Sequence, residues 1–356
     1  MGVKYFYRKP IVRLALILTL VVSPFFLKPA IDRLRETKDK TEFETVAKDQ
    51  NAEKIQALRA NFDKQFQEIS KIKDKNLMSE AQYDLVTLQI KTGFFSDALS
   101  NISKIDDSYT GCITLCDVAS ALATIGEIND ARRVFEKAGA LASKIIDKSW
   151  HSQDDAKYCK ATSEAKARLF ADACETASEI NDNSSQGRAQ YYIAIEQAKI
   201  GLFVDAYKIT SKITSVYWRY QAFCNIAGLQ AKTGFVDDAK KTFAKAKESA
   251  LTIENVYRRC LPLCDIAVTE AKAGLSDDAK ITFKKAKSSA LKIENLYGRC
   301  LALCDIATAL AKAGLMDDAK TMFELTDRYS SKINDKNSRL DAQKIIKKSK
   351  QKISLN

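Results

Sequence analysis

The sequence predicts an all-α protein. It predicts an N-terminal hydrophobic helix followed by a solenoid of about seven to eight antiparallel helical hairpins. Glycine (12) and proline (4) are scarce among the 356 residues, which favours helices over strands and turns. The pattern Ala-Lys-x-Gly recurs with its glycine at Gly234, Gly274 and Gly314, at intervals of 40 residues. A fixed period of this length indicates stacked units, none of which buries its apolar face alone.

Each unit contains a first helix, called helix A, then a glycine position, then a second helix, called helix B. The glycine positions are Ala60 in a degenerate first copy, then Gly93, Gly126, Arg168, Gly201, Gly234, Gly274 and Gly314, so the units are 33, 40 or 42 residues long. An isoleucine closes helix B twelve residues after the glycine position in 33-residue units and nineteen after it in 40-residue units, as at Ile213 and Ile253. Seven residues are almost two helical turns, so the longer units are expected to lengthen helix B and keep the same face inward.

Aspartate followed by alanine stands four residues after seven of the glycine positions, as at Asp238 and Asp278. A glycine ends a helix readily because it accepts the left-handed conformation of the C-terminal cap. The residues one position before these aspartates are therefore predicted to be N-caps of helix B: Ser96, Asn129, Asp237, Asp277 and Asp317. A metal-binding role for this acidic series is the weaker interpretation, because helix capping explains it without a ligand.

The basic character of the chain lies at its two ends. The net charge is +12, of which residues 1–40 contribute +6 and residues 331–356 contribute +6, so residues 41–330 are neutral. A body that wraps nucleic acid is expected to be basic itself, because neutralisation of phosphates supplies most of that affinity. Nucleic acid is therefore an unlikely partner.

The first 30 residues are predicted to be a single-pass signal-anchor that inserts into the lipid bilayer. The run from Ile11 to Leu27 is apolar except for Arg13, Thr19 and Ser23. A cleaved export signal and a buried helix of the folded body remain alternatives, and basic residues on both flanks leave the side of the membrane open. The predicted organisation is then a charged linker over 31–50, the repeat array over 51–340 and a basic tail over 341–356.

Seven of the nine cysteines lie ten or fourteen residues before a glycine position, as Cys260 and Cys264 do in one unit. Tyrosine takes the ten-before position in other units, as at Tyr191, so this position does not require a metal ligand. Cysteine behaves as a small apolar residue where helices crowd together, and a closed zinc site needs four ligands in a chain that has one histidine. Packing is the favoured interpretation; a zinc site that joins successive units and a redox role remain alternatives.

Small and aromatic residues in the units resemble the signature of tetratricopeptide repeats: Ala267, Ala307, Gly274, Gly314, Ala279, Ala319, Phe283, Phe323 and Ala286. The resemblance covers about residues 45–340 and implies a right-handed solenoid whose concave groove is lined by helix A. The candidate groove residues are Lys91, Lys166, Lys199, Lys232, Lys272, Lys312, Tyr191, Cys224, Cys264 and Cys304. The lysine row suits an acidic peptide, although a solvated charge row that pairs with Asp84, Asp117, Asp265 and Asp305 is the slightly favoured explanation.

The sequence carries no nucleotide-binding loop, no Ser/His/Asp set and no metal quartet, so no enzyme activity, cofactor or small-molecule substrate is expected. The function that these observations favour is a membrane-tethered scaffold for protein–protein interaction. Two alternatives stay open: an RNA-binding helical-repeat protein of the pentatricopeptide kind, and a non-catalytic regulatory component of an envelope or secretion assembly. Against the RNA alternative stand the neutral body and the uneven unit length.

Overall fold

The computed structural model describes residues 44–146 and 152–354, and within them the backbone forms sixteen α-helices and no strand. Two compact units divide the chain, one that ends at Gln65 and one that begins at Phe66. The helices are α1 (Glu44–Ile69), α2 (Lys75–Lys91), α3 (Phe95–Ile102), α4 (Ser108–Thr124), α5 (Ile128–Ala142), α6 (Gln153–Lys166), α7 (Phe170–Ser178), α8 (Asn183–Lys199), α9 (Phe203–Lys212), α10 (Val216–Lys232), α11 (Val236–Leu251), α12 (Val256–Lys272), α13 (Ser276–Leu291), α14 (Leu296–Lys312), α15 (Met316–Ser330) and α16 (Lys336–Ser354).

Helices α2 to α15 form seven antiparallel hairpins, in which the even-numbered helices are helix A and the odd-numbered ones are helix B. Each helix A packs against its own helix B, against the preceding helix B and against the helix A of the next hairpin. This contact pattern is that of an α-solenoid. The predicted first copy is absent, because α1 runs without a break through Ala60; the same helix also crosses the predicted boundary between residues 50 and 51.

The two unit lengths differ in helix B, as the sequence predicted. Helix B has 8, 9 or 10 residues in α3, α7 and α9, and 15 or 16 residues in α5, α11, α13 and α15. The 42-residue unit belongs to the long class, since Ile145 lies nineteen residues after Gly126 and is buried. The order along the chain is therefore short, long, short, short and then three long hairpins.

The turn between helix A and helix B has the geometry that the glycines predicted. All six glycines at glycine positions have positive φ between 79° and 92°, and Arg168 adopts φ 63° at the seventh. In each turn the next residue donates its N–H back to helix A, as Leu275 does to the carbonyl of Glu270 at 2.9 Å. This bond is the Schellman closure, which satisfies a carbonyl at the helix end.

The predicted N-caps of helix B are wrong by two residues in every case. Helix B is preceded by Phe94, Glu127, Leu169, Leu202, Phe235, Leu275 and Leu315, none of which caps it with a side chain. The residues predicted as caps, Ser96, Asn129, Asp237, Asp277 and Asp317, are the second residues of their helices. Asp237, Asp277 and Asp317 therefore meet the positive helix end from inside the first turn.

Side-chain capping occurs instead at the start of helix A. Asp74, Asp107, Asp182, Asn255 and Asn295 accept backbone N–H groups there, and Ser152 forms a capping box with Asp155. A second device ties helix A to the end of the preceding helix B, through a side chain at the first residue of α6 and at the fourth residue of the A helices after it. The side chains of Gln153, Gln186, Arg219, Arg259, Arg299 and Arg339 donate to the carbonyls of Ile145, Ile180, Ile213, Ile253, Ile293 and Ile333 at 2.7–3.1 Å.

Helix α16 repeats the helix A pattern. Ala342 and Ile346 are buried at the positions of Ala302 and Ile306 in α14. Gln343 and Lys347, however, are exposed where α14 buries Leu303 and Ala307. The part of the predicted basic tail that the structure describes is thus helical and polar on this side.

No helix within residues 44–146 and 152–354 is long and apolar enough to cross a membrane. The predicted signal-anchor, residues 1–30, and the first part of the predicted linker lie outside the described residues. The anchor therefore stays a prediction.

Candidate functional site

The A helices form the continuous layer of the array, and three rows of side chains cross it. Numbered back from the glycine position, one row stands two residues before it, a second nine and ten before it, and a third thirteen, sixteen and seventeen before it. Spacings of three, four and seven residues share one helix face, so the three rows lie on a common surface, called here the A face. A separation of seven residues along a helix corresponds to about 10 Å between rows.

The lysine row occupies the C-terminal end of the A helices. Lys91, Lys166, Lys199, Lys232, Lys272 and Lys312 are all exposed, and each is the last residue of its helix. Thr124 takes this place in α4. A cation at a helix C-terminus is favoured by the helix dipole, which explains the row without a partner. Lys199 also pairs with Glu196 at 2.7 Å on the same helix.

The cysteines predicted to line a groove lie in the core instead. Cys224, Cys264 and Cys304 are only 2–3% exposed, at the contacts between hairpins. Burial raises the pKa of Cys224 to about 12, so that its thiol stays protonated near neutral pH. In the described residues all nine cysteines are free, and no three His, Cys, Asp or Glu side chains are grouped as a metal ion would need. Cysteine at the ten-before position therefore does not present its thiol to a groove, whereas Tyr191 at the same position stays partly exposed.

The middle row holds half-buried polar groups that link successive A helices. Tyr83 donates its hydroxyl to Asp117 at 2.9 Å, and Asn225 donates its amide to the hydroxyl of Tyr191 at 2.8 Å. Both pairs span 34 residues and join neighbouring hairpins at equivalent positions. Asp117 therefore meets a tyrosine rather than the lysine that the charge pattern predicted. Burial raises the pKa of Asp117, and the hydrogen bond from Tyr83 partly opposes this rise.

The last two aspartates of this row, Asp265 and Asp305, have weaker hydrogen-bond partners than Asp117. Asp265 accepts a long hydrogen bond of 3.4 Å from Tyr220, and no hydrogen bond to the carboxylate of Asp305 occurs among the described residues. Burial raises the pKa of both carboxyls, and Lys312 lowers it in part. A half-buried acceptor without a donor is unfavourable, so the surface around Asp305 suits a partner that supplies N–H groups.

An aromatic cluster interrupts the acidic row in the middle of the array, across α6, α8 and α10. It is called here the aromatic patch, and its members are Tyr158, Arg188, Tyr191, Tyr192, Tyr217 and Trp218. Neighbouring ring centroids lie 4.9–6.1 Å apart in tilted and edge-to-face arrangements. Such geometry is favourable for aromatic pairs beyond the area they bury.

Arg188 lies at the centre of the aromatic patch. Its guanidinium carbon is 4.4 Å from the ring centroid of Tyr158 and 6.0 Å from that of Trp218, while the side chain stays exposed. A cation over aromatic faces is attracted by the ring quadrupole. Tyr217 is 53% exposed and the other rings are partly exposed, so the patch offers several aromatic surfaces and one fixed positive charge to solvent.

Of the predicted groove residues, the structure brings only Tyr191 into this patch. The remaining members come from three helices that are 60 residues apart in sequence, from Tyr158 to Trp218. The sequence offers one local signal for the patch, the aromatic pair in the run Tyr217-Trp218-Arg219. Only the stacking of α6, α8 and α10 places these rings together.

No protein-family model matches the sequence, and no curated protein matches it. Among solved structures, Ton1535 from Thermococcus onnurineus NA1 aligns over 82% of this chain and 97% of its own, with 16% identity and a TM-score of 0.31. A Rap protein complexed with competence and sporulation factor aligns over 76% of this chain and 87% of its own, with 13% identity and a TM-score of 0.29. The helical-repeat fold is therefore inferred from the packing of the hairpins in this chain and not from these similarities.

Proposed function

We propose that this protein is a non-catalytic scaffold that binds an extended polypeptide segment of a partner protein along the A face. The observation that carries the proposal is the aromatic patch, in which Arg188 lies over exposed rings. Aromatic residues and arginine are the residue types that most often anchor protein–protein interfaces. A hydrophobic or aromatic side chain of the partner contacts the patch.

The rows on either side give the segment its direction and chemistry. Backbone N–H groups of an extended segment donate to the exposed carboxylate of Asp265 and the half-buried one of Asp305, whose own donors are weak or missing. Acidic side chains of the segment reach the exposed lysine row, about 10 Å away along the A helices. Charge on this rim mainly accelerates encounter and sets register, since exposed ion pairs contribute little affinity.

The proposal includes a membrane tether at residues 1–30. Its support is the sequence alone, the apolar run from Ile11 to Leu27. Carbonate extraction of membranes from cells that express the full chain, or the chain without residues 1–30, tests this part separately. Full-length protein in the carbonate-resistant pellet and a soluble truncation support the tether. A shortened soluble protein indicates a cleaved signal instead.

The binding proposal is tested by selecting peptides from a random display library on the full-length protein. The expected result is a family of peptides with an aromatic or apolar residue next to acidic residues. Binding of a selected peptide is then followed through the fluorescence of Trp218. Tyr192→Ala and Arg188→Ala are each expected to weaken it by about tenfold or more, as removal of an interface anchor does.

The matched control is Phe235→Ala. Phe235 is an exposed aromatic residue, 52% accessible, that lies in the turn before α11 and packs on Phe203 rather than in the patch. It is expected to leave peptide affinity within about twofold of the wild type. Equal losses from Phe235→Ala and Tyr192→Ala would refute the aromatic patch as the binding site. Binding of single-stranded RNA that falls steeply with salt, in place of peptide binding, would favour the RNA alternative.

A further inference from the structure

A cleft opens on the other side of the array, where a short hairpin meets a long one. Helix α9 ends after 10 residues, whereas the next helix B, α11, continues for 16. The last turns of α11 therefore extend past the end of α9, and the N-terminal half of α10 lies beneath the gap. The cleft measures about 250 Å³ and is lined by Tyr207, Ser211, Arg219, Phe223, Lys245, Glu248, Ser249 and Thr252.

The other step from a short to a long hairpin is closed, which shows that the length change alone does not leave a cleft. At that step, between α3 and α5, Gly111 and Leu141 occupy the positions of Arg219 and Ser249. The Leu141 side chain covers Gly111 so closely that an added Cβ there would lie 3.1 Å from its Cδ1. At the step between α9 and α11, Ser249 takes the place of Leu141 and Arg219 takes the place of Gly111.

Arg219 is half buried in the cleft and has donors to spare. One Nη1 proton bonds the carbonyl of Ile213 at 3.0 Å, and the Nε proton makes a long contact of 3.4 Å to the hydroxyl of Ser249. A guanidinium carries five N–H donors in a planar fork, so three remain. This fork matches the oxygen pairs of carboxylate and phosphate groups.

The remaining walls give the cleft a positive balance and an apolar side. Lys245 pairs with Glu248 at 2.8 Å at the exposed rim, so these two charges offset each other and that of Arg219 remains. Tyr207 and Phe223 stack with their centroids 5.2 Å apart and form the apolar wall. An anionic group attached to a small planar or apolar body fits this combination of a cation, a hydroxyl and two rings.

We propose that this cleft is a binding site for a small anionic ligand, whose carboxylate or phosphoryl group bonds Arg219 and whose apolar part contacts Tyr207 and Phe223. The site is separate from the A face and does not depend on peptide binding. It arises because Ser249 leaves open the space that Leu141 fills at the equivalent step.

The test uses the full-length protein and three probes: phenyl phosphate, benzoate and inorganic phosphate, each followed by ligand-observed NMR titration at low salt. Saturable binding of phenyl phosphate or benzoate, tighter than that of inorganic phosphate, is expected. The comparison between phenyl phosphate and benzoate distinguishes a phosphoryl from a carboxylate ligand. Absence of saturable binding for all three probes would overturn the site, and equal binding of inorganic phosphate would overturn the role of the rings.

The repeats supply variants that are expected to fold. Arg219→Gln retains the bond to the isoleucine carbonyl, since Gln186 makes that bond at 3.1 Å in its own unit, and it is expected to weaken binding by about tenfold. Ser249→Leu copies the closed step and is expected to abolish binding. Glu248→Gln removes the negative charge at the rim and is expected to strengthen binding.

The matched control is Arg299→Gln, which makes the same replacement where the arginine packs on Tyr329 at 5.1 Å. It is expected to leave binding within about twofold of the wild type. Equal losses from Arg219→Gln and Arg299→Gln would show that the probes follow net charge alone, and the assignment of the cleft would fall.

Discussion

Lys247 on α11 and Glu270 on α12 form a buried ion pair that joins two hairpins, with 2.8 Å between Nζ and Oε1. The Lys247 side chain is 16% exposed and that of Glu270 only 1%. Thr282, on the following helix B, donates its hydroxyl to the other carboxylate oxygen at 2.6 Å. Three consecutive helices therefore meet at one carboxylate, which ties the second half of the array together through polar contacts inside an apolar stack.

Removal of the carboxylate is expected to be costly, because it leaves a largely buried ammonium without a partner. Glu270→Leu is expected to lower the free energy of unfolding by about 3 kcal/mol. The double variant Lys247→Met/Glu270→Leu is expected to recover most of that loss, since leucine already takes this position in the next unit as Leu310. Urea denaturation of the two variants checks this. A double variant no more stable than the single one would contradict the expectation.

Arg168 is expected to be a point of strain. Its φ of 63° lies in the left-handed region, where a side chain with a Cβ is disfavoured by about 1–2 kcal/mol. Arg168→Gly is therefore expected to raise the free energy of unfolding by about 1 kcal/mol, after the added entropy of glycine in the unfolded chain. Gly201→Ala, at the equivalent turn with no atom near the new Cβ, is the reverse control and is expected to destabilise. A loss of stability in Arg168→Gly would show that its side chain contributes more than its backbone costs.

The side-chain bonds to the isoleucine carbonyls are expected to depend on the donor rather than on charge. Arg259 donates to the carbonyl of Ile253 at 2.7 Å, and Gln186 makes the equivalent bond to Ile180. Arg259→Ala is expected to lower the unfolding free energy by about 1 kcal/mol, and Arg259→Gln by much less. Thermal denaturation compares them. Equal losses would mean that charge, or packing of the arginine stem, matters more than the bond.

The stability of the array is expected to depend on pH through the half-buried carboxyl of Asp305. Burial raises the pKa of this carboxyl in the folded protein, so the folded state binds more protons than the unfolded state between the two pKa values. Its contribution to stability is then fully present below the ordinary pKa and is lost as pH rises through the folded-state pKa. Asp305→Asn is expected to be more stable than the wild type at pH 7, with a smaller gain at pH 4.

The control for this titration is Asp182→Asn. Asp182 caps α8 through the N–H of Ser185, and this bond lowers its pKa, so its contribution has the opposite sign and is lost as pH falls. No gain in stability at pH 7 is expected for this variant. A gain in Asp305→Asn that is the same at pH 4 and pH 7 would rule out titration as its cause.

The repeat spacing predicted the hairpins well because a turn is a local event. Glycine at a helix end and isoleucine at the close of helix B are fixed by neighbouring residues, so the sequence located both, and even Arg168 at a glycine position. The prediction of a degenerate copy around Ala60 was wrong because the local signal for a turn is missing there. Without a residue that accepts positive φ, α1 continues through it as one helix.

The candidate site was harder to predict because it depends on contacts between helices. Lys232 and Cys224 both follow the helical period, yet one is exposed and the other buried, and only the packing of neighbouring hairpins decides between them. The aromatic patch joins residues from three hairpins. The acidic pairs after the glycines were predicted as caps because sequence patterns locate a helix start only to within one or two residues.

Because both short and long B helices occur along the array, the surface formed by the B helices can change while the A face stays the same. Seven residues are added to or removed from helix B without altering the closing isoleucine or the layer of A helices, as the steps at Gly111 and Arg219 show. Exchanging hairpins of different length would thus change the clefts between the B helices and leave the A face unchanged.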